Sequence, residues 1–209
     1  MSIKVVIFDL GGVLVRTEDR APRTALGLRF DKSYIEMDKV VFGNESSSRA
    51  STGKISAREH MQNVMRSLAL PETDESIQKF YDEFFGGDEM DYSIIDYLRS
   101  LRSQPQYTTA LLSNAWDDLR GLLINKWGID DAFDEIFISA EMGVAKPDAH
   151  IYEMVLEKLG VVPEECVFVD DFIENIEAAR KLGMISIHFQ DVAVAMVELK
   201  RLLGKSAES

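Results

Sequence analysis

Cysteine is almost absent from this sequence, in which Cys166 is the only one among 209 residues. A single thiol excludes an internal disulfide framework and a zinc site built from several cysteines. The lack of disulfides is typical of a reducing compartment, so we predict a cytoplasmic protein. The apolar run near the N-terminus ends at Asp9, which makes it too short for a signal peptide or a membrane span. We therefore expect no membrane partner.

Positive charge is also scarce. Lys and Arg number 23 against 36 Asp and Glu, which gives a formal net charge of -13. A general nucleic-acid binder needs a basic face to displace counterions, so this balance argues against a nucleic-acid partner. The same excess would repel an anionic ligand at long range, and such a ligand would need a local cation. An acidic surface also promotes solubility, which accounts for part of the charge.

The remaining composition is that of a folded protein. Apolar residues make up 46% and charged residues 28% of the chain, which indicates a globular class. A chain of this size buries roughly 70% of its unfolded surface, enough for a substantial core. Its length fits one domain with an insertion or two small domains.

Short apolar runs alternate with helical patterns along most of the chain. The runs predict five strands: Ile3 to Phe8, Thr108 to Leu112, Glu135 to Ile138, Cys166 to Val169 and Ile185 to Phe189. The helical patterns cover Tyr92 to Ser103, Trp116 to Trp127, Pro147 to Leu159 and Ile173 to Leu182. This alternation predicts an α/β fold with a Rossmann-like parallel sheet and helices on both faces.

One long segment, from Arg16 to Asp91, interrupts the alternation. It shows no convincing strand, and helical patterns appear at Ser33 to Phe42, Ser56 to Leu70 and Asp74 to Phe85. We predict a small all-helical domain over residues 16–91, inserted after the first strand of a core made of residues 1–15 and 92–209. An insertion there would cover the carboxyl ends of the strands, where open α/β sheets bind ligands.

Polar residues follow four of the predicted strands. The sequence reads Asp9-Leu10-Gly11-Gly12 after the first, Ser113-Asn114 after the second, Lys146-Pro147 beyond the third and Asp170-Asp171 after the fourth. Alone, each is typical of a helix cap, a turn or a solvated charge. Because the carboxyl ends of parallel strands lie at one edge of the sheet, we expect three carboxylates, a hydroxyl, an amide and a lysine to converge there.

In these four motifs and their order the sequence resembles the haloacid dehalogenase superfamily, in its phosphatase branch with a helical cap (subfamily I). The resemblance covers the whole chain. The segment from Phe8 to Leu14, with its Asp-Leu-Gly-Gly stretch, is similar to the first motif, and Leu112-Ser113-Asn114 is similar to the second. Ser139 through Lys146-Pro147 is similar to the third, and Val169-Asp170-Asp171 with Asn175 to the fourth.

The resemblance implies a magnesium-dependent phosphomonoester hydrolase that acts on a small phosphorylated metabolite through an aspartyl-phosphate. Asp9 would be the nucleophile and a metal ligand, with the Gly11 carbonyl and Asp171 as further ligands to Mg²⁺ and Asp170 as an outer ligand. Lys146 would neutralise phosphoryl oxygens and keep Asp9 ionised. Ser113 and the backbone amide of Asn114 would bind the remaining oxygens of the phosphoryl group.

The sequence departs from the family pattern at Gly11. Phosphatases of this family usually carry there a second aspartate, which protonates the leaving oxygen, and losing a general acid costs roughly 10² to 10⁴ in rate. The chain is similar to a branch of the family that has an Asp-Leu-Gly first motif, and this branch includes sugar-phosphate phosphatases. Glu18 is a candidate replacement acid. A substrate with a good leaving group, such as a sugar 1-phosphate, would need little protonation.

Two alternative functions remain open. A metal-free 2-haloacid dehalogenase would also use Asp9, Ser113 and Lys146, but it has no use for the pair Asp170-Asp171. A non-catalytic protein that binds phosphate or metal and acts as a regulator would explain Gly11.

The sequence says less about the histidines, the cysteine, the oligomeric state and the C-terminal tail. We expect His60 to be structural, His150 to lie at the surface and Cys166 to be an inert core residue. His188 ends the last predicted strand and is a candidate for the neighbourhood of the site. We expect a monomer or a homodimer, and a frayed tail from Gly204.

Overall fold

Five parallel strands form the central sheet of the computed structural model, which describes residues 2–204. In chain order the strands of this range are Val5–Phe8 (β1), Val15–Thr17 (β2), Asp88–Met90 (β3), Thr108–Ser113 (β4), Glu135–Ile138 (β5), Cys166–Asp170 (β6) and Ile185–His188 (β7). The sheet has the order β5-β4-β1-β6-β7, and each neighbouring pair is parallel. The predicted sheet is confirmed, and β1 lies at its centre, as its complete burial requires.

Helices cover both faces of this sheet. The α-helices of the described range are Ala21–Leu28 (α1), Tyr34–Val41 (α2), Glu45–Ser51 (α3), Ala57–Ser67 (α4), Asp74–Phe84 (α5), Tyr92–Arg102 (α6), Leu119–Leu122 (α7), Ser139–Met142 (α8), Ala149–Leu159 (α9), Ile173–Lys181 (α10) and Val192–Leu202 (α11). Successive residues of β1 alternate between two cores. Val6 and Phe8 join the core that includes α6 and α11, and Val5 and Ile7 join the core that includes α9 and α10.

The inserted segment contains α1 to α5 around its own apolar cluster, which includes Met37, Met61, Phe80 and Phe84. The expectation that it has no strands is wrong at its two ends. There β2 and β3 pair antiparallel as a ribbon that carries the chain into and out of the cap. Strands of three residues are too short to show an alternating pattern. The division into residues 1–15, 16–91 and 92–209 stays a prediction.

Other differences from the predicted elements are local. The helix expected from Trp116 to Trp127 consists of α7 and a π-helical turn, Leu123–Trp127, that ends at the left-handed Gly128 (φ 59°). Helices α1, α3, α8 and α11 were not predicted. None of the helices in residues 2–204 combines the length and the apolar character needed to cross a bilayer. The tail after Gly204 lies outside the described residues.

Trp116 joins the core to the cap. It follows β4 in the core, yet its side chain belongs to the cap cluster, 4.5 Å from the ring of His60 and 5.7 Å from that of Phe42 (centroid distances). The next residue, Asp117, accepts a hydrogen bond of 2.7 Å from the backbone N–H of Ala57, at the first turn of α4. The cap is therefore anchored at a point three residues beyond Ser113, as well as through the ribbon.

Candidate active site

Asp9 lies at the carboxyl end of β1 and is almost completely buried. Its Oδ1 atom accepts a hydrogen bond of 2.7 Å from the Leu10 N–H and forms an ion pair of 3.0 Å with Lys146 Nζ. Within the described residues, Oδ2 of Asp9 forms no hydrogen bond. One oxygen is thus fixed by the protein, and the other is available for new bonds.

Lys146 is the cation of the site, and its buried ammonium group has three acceptors. Besides Asp9, it contacts Asp170 Oδ2 at 2.7 Å and the Leu112 carbonyl at 2.9 Å. The side chain of Asn114 fixes the Lys146 backbone, because it accepts from the Lys146 N–H and donates to its carbonyl, each at 2.8 Å. An ammonium group has three N–H donors, so this geometry uses all of them.

The two adjacent carboxylates differ in how the protein satisfies them. Asp170 is fully buried and accepts from Lys146, from the Phe172 N–H at 2.8 Å and from Asn175 Nδ2 at 3.0 Å. Asp171 is only partly buried, yet its Oδ1 atom is buried without any hydrogen-bond partner in the described residues. Buried carboxylate oxygens are rarely left unsatisfied, so this atom is suited to bind a cation.

Asp9, Asp170 and Asp171 form a cluster that could hold a metal ion, since one oxygen of each lies within 4.8 Å of the others. Burial raises the pKa of Asp9 to about 7, against the opposing charge of Lys146. Burial and then the charge of Asp170 raise the pKa of Asp171 to about 6. A bound cation would lower both pKa values and keep the carboxylates ionised near neutral pH.

Glycine and serine residues shape the rest of the site. Gly12 has a positive φ of 75°, and a Cβ atom placed there would overlap the carboxylate of Asp171. At Gly11, in contrast, an added Cβ would meet no atom within 4 Å, so the position of the usual aspartate is open space. Ser113, at the end of β4, is almost fully buried, and no hydrogen bond within the described residues holds its hydroxyl group.

The structure brings together most of the predicted site residues. Asp9, Asn114, Lys146, Asp170 and Asp171 are linked through direct contacts or the carboxylate cluster. Ser113 ends β4, and Gly11 follows β1. The roles assigned to all of these residues stay predictions. Glu18 does not join the carboxylates: it is half exposed and pairs with Arg16, which also binds Asp91 at the ribbon.

The histidines and the cysteine occupy different environments. His60 is buried in the cap, its Nδ1 2.7 Å from Ser46 Oγ, and burial lowers its pKa. His150 is exposed beside Glu153. Burial raises the pKa of Cys166 to about 12, which keeps this thiol unreactive at neutral pH. His188 contacts the backbone of a predicted site residue, with Nε2 2.9 Å from the carbonyl oxygen of Asp171.

Further side chains support the site through hydrogen bonds to the backbone. Ser139 Oγ accepts from the Ala115 N–H at 3.0 Å and so holds the loop after β4 against β5. The Tyr152 hydroxyl donates to the carbonyl of Asn175 at 3.0 Å. Asn175 lies five residues after Asp170, in the first turn of α10. This spacing brings its side chain back to the end of β6, where it donates to Asp170, and the sequence could have indicated this contact.

Comparison with known proteins agrees with this geometry. A family model for haloacid dehalogenase-like hydrolases matches residues 3–183. The chain belongs to this family. It is 29% identical over 205 residues to the sesquiterpene phosphatase astK of Aspergillus oryzae, and the match covers 97% of this chain and 98% of that protein.

Two further relatives were found. The chain is 28% identical to the D-ribitol-5-phosphate phosphatase of Bacteroides thetaiotaomicron over 217 residues, which cover 97% of this chain and 99% of the other. It is 27% identical over 225 residues to bifunctional epoxide hydrolase 2 of Rattus norvegicus, where the match covers 98% of this chain but only 39% of that protein.

A solved structure also shares the fold. It is that of a variant of a haloacid dehalogenase-family enzyme from Bacteroides thetaiotaomicron in complex with magnesium and inorganic phosphate. The TM-score is 0.73 with 26% sequence identity, and the alignment covers 90% of this chain and 95% of the other. Together with the phosphatases above, it supports phosphatase activity for this haloacid dehalogenase-like hydrolase.

Proposed function

We propose that this chain is a magnesium-dependent phosphomonoesterase that acts on a small phosphorylated metabolite through an aspartyl-phosphate. The observation that carries the proposal is that, within residues 2–204, Oδ1 of Asp171 is buried without a hydrogen-bond partner beside Asp9, whose Oδ2 also forms no hydrogen bond. A site with three carboxylates and one lysine carries excess negative charge, so it is suited to a cation. The phosphatases to which the chain is similar support the same reaction.

Magnesium suits the donor set because it prefers oxygen ligands and needs only one or two carboxylates. We assign Asp9, Asp171 and the Gly11 carbonyl as its ligands. Asp170 would stand behind them, because Lys146, Asn175 and the Phe172 N–H already occupy its oxygens. The bound ion would offset the repulsion between an anionic nucleophile and an anionic phosphate ester.

Asp9 is the proposed nucleophile. A carboxylate oxygen would attack phosphorus and form an aspartyl-phosphate, while the bond from phosphorus to the leaving oxygen breaks and that oxygen departs with the electron pair. Water would then attack the same phosphorus, which releases inorganic phosphate and restores the Asp9 carboxylate. Lys146 keeps Asp9 oriented through the 3.0 Å ion pair.

The phosphoryl oxygens would be bound at the end of β4. Ser113 is almost fully buried, and its hydroxyl group forms no hydrogen bond within the described residues. It can therefore donate to a phosphoryl oxygen without breaking an existing hydrogen bond. The Asn114 side chain is occupied by the Lys146 backbone, which leaves only its backbone amide for this role. Lys146 would contribute its positive charge.

Gly11 restricts the choice of substrate. No side chain at this position can protonate the leaving oxygen, and Glu18 is held by Arg16. A leaving group that is stable as an anion needs less help from a general acid. We therefore propose a sugar 1-phosphate, whose anomeric oxygen leaves more easily than a simple alcohol.

A screen for phosphate release from sugar phosphates, nucleotides and simple alkyl phosphates, with Mg²⁺ or with EDTA, tests the function. We expect release that depends on Mg²⁺, is fastest for anomeric phosphates and disappears in Asp9→Asn, which keeps the shape and removes the nucleophile. Asp96→Asn, on the exposed surface, is the matched control.

With a 2-haloacid added to the substrates and Mg²⁺ binding measured separately, each alternative function predicts its own outcome. Activity that survives in Asp9→Asn would refute the proposed nucleophile. Chloride release from a 2-haloacid in EDTA would indicate a dehalogenase. Binding of Mg²⁺ without turnover of any phosphate ester would support the regulatory alternative. Equal rates for alkyl and anomeric phosphates would contradict the substrate class alone.

A further inference from the structure

We infer that His188 is a positioning residue for the metal centre, which fixes the direction of the Asp171 carboxylate through the backbone of Asp171. This inference rests on the proposed function, since it concerns the magnesium site. His188 ends β7, and its Nε2 lies 2.9 Å from the carbonyl oxygen of Asp171. Neither the four motifs nor the relatives' names assign it a role.

The partner determines the protonation of the imidazole at this contact. A carbonyl oxygen can only accept a hydrogen bond, so Nε2 must carry the hydrogen that is donated to Asp171. A side chain without a donor at this point could not replace the contact. The hydrogen bond is partly buried, where competition from water is reduced.

The carbonyl of Asp171 has no role in the neighbouring helix. The first backbone hydrogen bonds of α10 run from Asn175 and Ile176 to the carbonyl of Phe172, one residue later. His188 therefore holds a carbonyl group that the secondary structure leaves free. The adjacent Phe189 N–H donates to the Asp170 carbonyl at 2.8 Å, so the end of β7 holds both residues of the carboxylate pair.

The side chain of Asp171 is held mainly by its surroundings rather than by its own hydrogen bonds. Its Oδ1 has no partner within residues 2–204, and its carboxylate occupies the space of a Cβ atom on Gly12, while its backbone carbonyl contacts His188. If the His188 contact is lost, the peptide of Asp171 can rotate and the carboxylate can turn away from Asp9. Partners that orient a ligand in this way typically change metal affinity by 10- to 100-fold.

The test measures Mg²⁺ binding itself, by isothermal titration calorimetry with MgCl₂ alone and by the Mg²⁺-dependent rise in melting temperature. We expect His188→Ala to weaken Mg²⁺ binding about 10-fold. His188→Gln places an amide donor near the position of Nε2 and should stay within about twofold of the wild type. His150→Ala, an exposed histidine beside Glu153, is the matched control and should bind like the wild type.

Melting temperatures in EDTA separate this role from general destabilisation. We expect the three variants to melt within a few degrees of the wild type without metal, so that a loss in His188→Ala appears only on Mg²⁺ titration. Unchanged affinity in His188→Ala, or equal losses in His188→Ala and His188→Gln, would overturn the inference and leave the proposed function intact. A wild-type protein that binds no Mg²⁺ would overturn both.

Discussion

The carboxylate of Asp171 occupies the space that a side chain on Gly12 would need. A Cβ atom added to Gly12 would overlap that carboxylate, and the φ of 75° at Gly12 is itself unfavourable for other residues. Its neighbour Gly11 has neither constraint, since a Cβ there meets nothing within 4 Å. The two adjacent glycines therefore form a matched pair for mutation.

Gly12→Ala should displace Asp171 and weaken Mg²⁺ binding by at least 10-fold, with a parallel loss of phosphatase activity. Gly11→Ala should retain Mg²⁺ affinity within about twofold, because its methyl group enters open space. Calorimetric titration with MgCl₂ measures both. Equal effects of the two substitutions would show that Asp171 is not held by this contact. The stated factors follow the range for residues that orient metal ligands.

Gly11→Asp should restore a general acid in the space that the sequence leaves empty. The expected result is a rise of at least 10-fold in kcat/KM for simple alkyl phosphates, with a smaller change for a sugar 1-phosphate, because a poor leaving group gains more from protonation. The control is Gly11→Asn, which introduces a side chain of the same size as aspartate that cannot act as a general acid. If Gly11→Asp and Gly11→Asn behave alike, missing acid catalysis does not limit the rate.

Metal-induced stabilisation should increase with pH. In the metal-free protein, burial raises the pKa of Asp9 to about 7 and that of Asp171 to about 6, both above the ordinary value of 3.8. The folded state then binds protons more tightly than the unfolded state, so these two groups favour folding below about pH 4 and lose that contribution as the pH rises through 6 to 7. Mg²⁺ must displace the same protons.

The corresponding measurement is the difference in melting temperature between the protein in excess Mg²⁺ and the protein in EDTA, across the pH range. We expect a small difference near pH 5, because both carboxylates are largely protonated, and a plateau above about pH 8. Ionisable groups remote from the site affect the melting temperature equally with Mg²⁺ and with EDTA, so their contribution cancels in this difference. Asp171→Asn should abolish most of the rise, and a difference that is independent of pH would contradict the role of these carboxylates.

The sheet and the convergence of its polar ends could be predicted because buried strands leave a strong signal. Val5–Phe8 and the four residues of β6 that precede Asp170 are continuous apolar runs, and a parallel sheet brings their ends together. In contrast, the ribbon of β2 and β3 has only three residues in each strand. Helix α3 has the serine-rich sequence ESSSRAS, typical of a loop, and its Asn44 cap and contacts with α8 stabilise it.

The different roles of Asp170 and Asp171 were implied by the family resemblance, but the residue pattern Asp170-Asp171 does not by itself show which carboxylate contacts Lys146. Neighbouring residues at a strand end point in different directions, and which one faces Lys146 depends on the register of β6 and on the start of α10. The contact of His188 with Asp171 is equally hidden, because it joins a side chain to a backbone carbonyl seventeen residues away. Sequence patterns report residue types, whereas these contacts depend on backbone direction.

Trp116 has a consequence for attempts to exchange caps between related enzymes. A graft that moved only residues 16–91 would leave behind an aromatic ring that the cap uses as part of its own interior, against His60 and Phe42. It would also remove from α4 the Asp117 acceptor at its first turn. A transferable unit must include the segment after β4, so the cap would be inherited together with the chain next to Ser113 and Asn114, the proposed phosphate-binding residues.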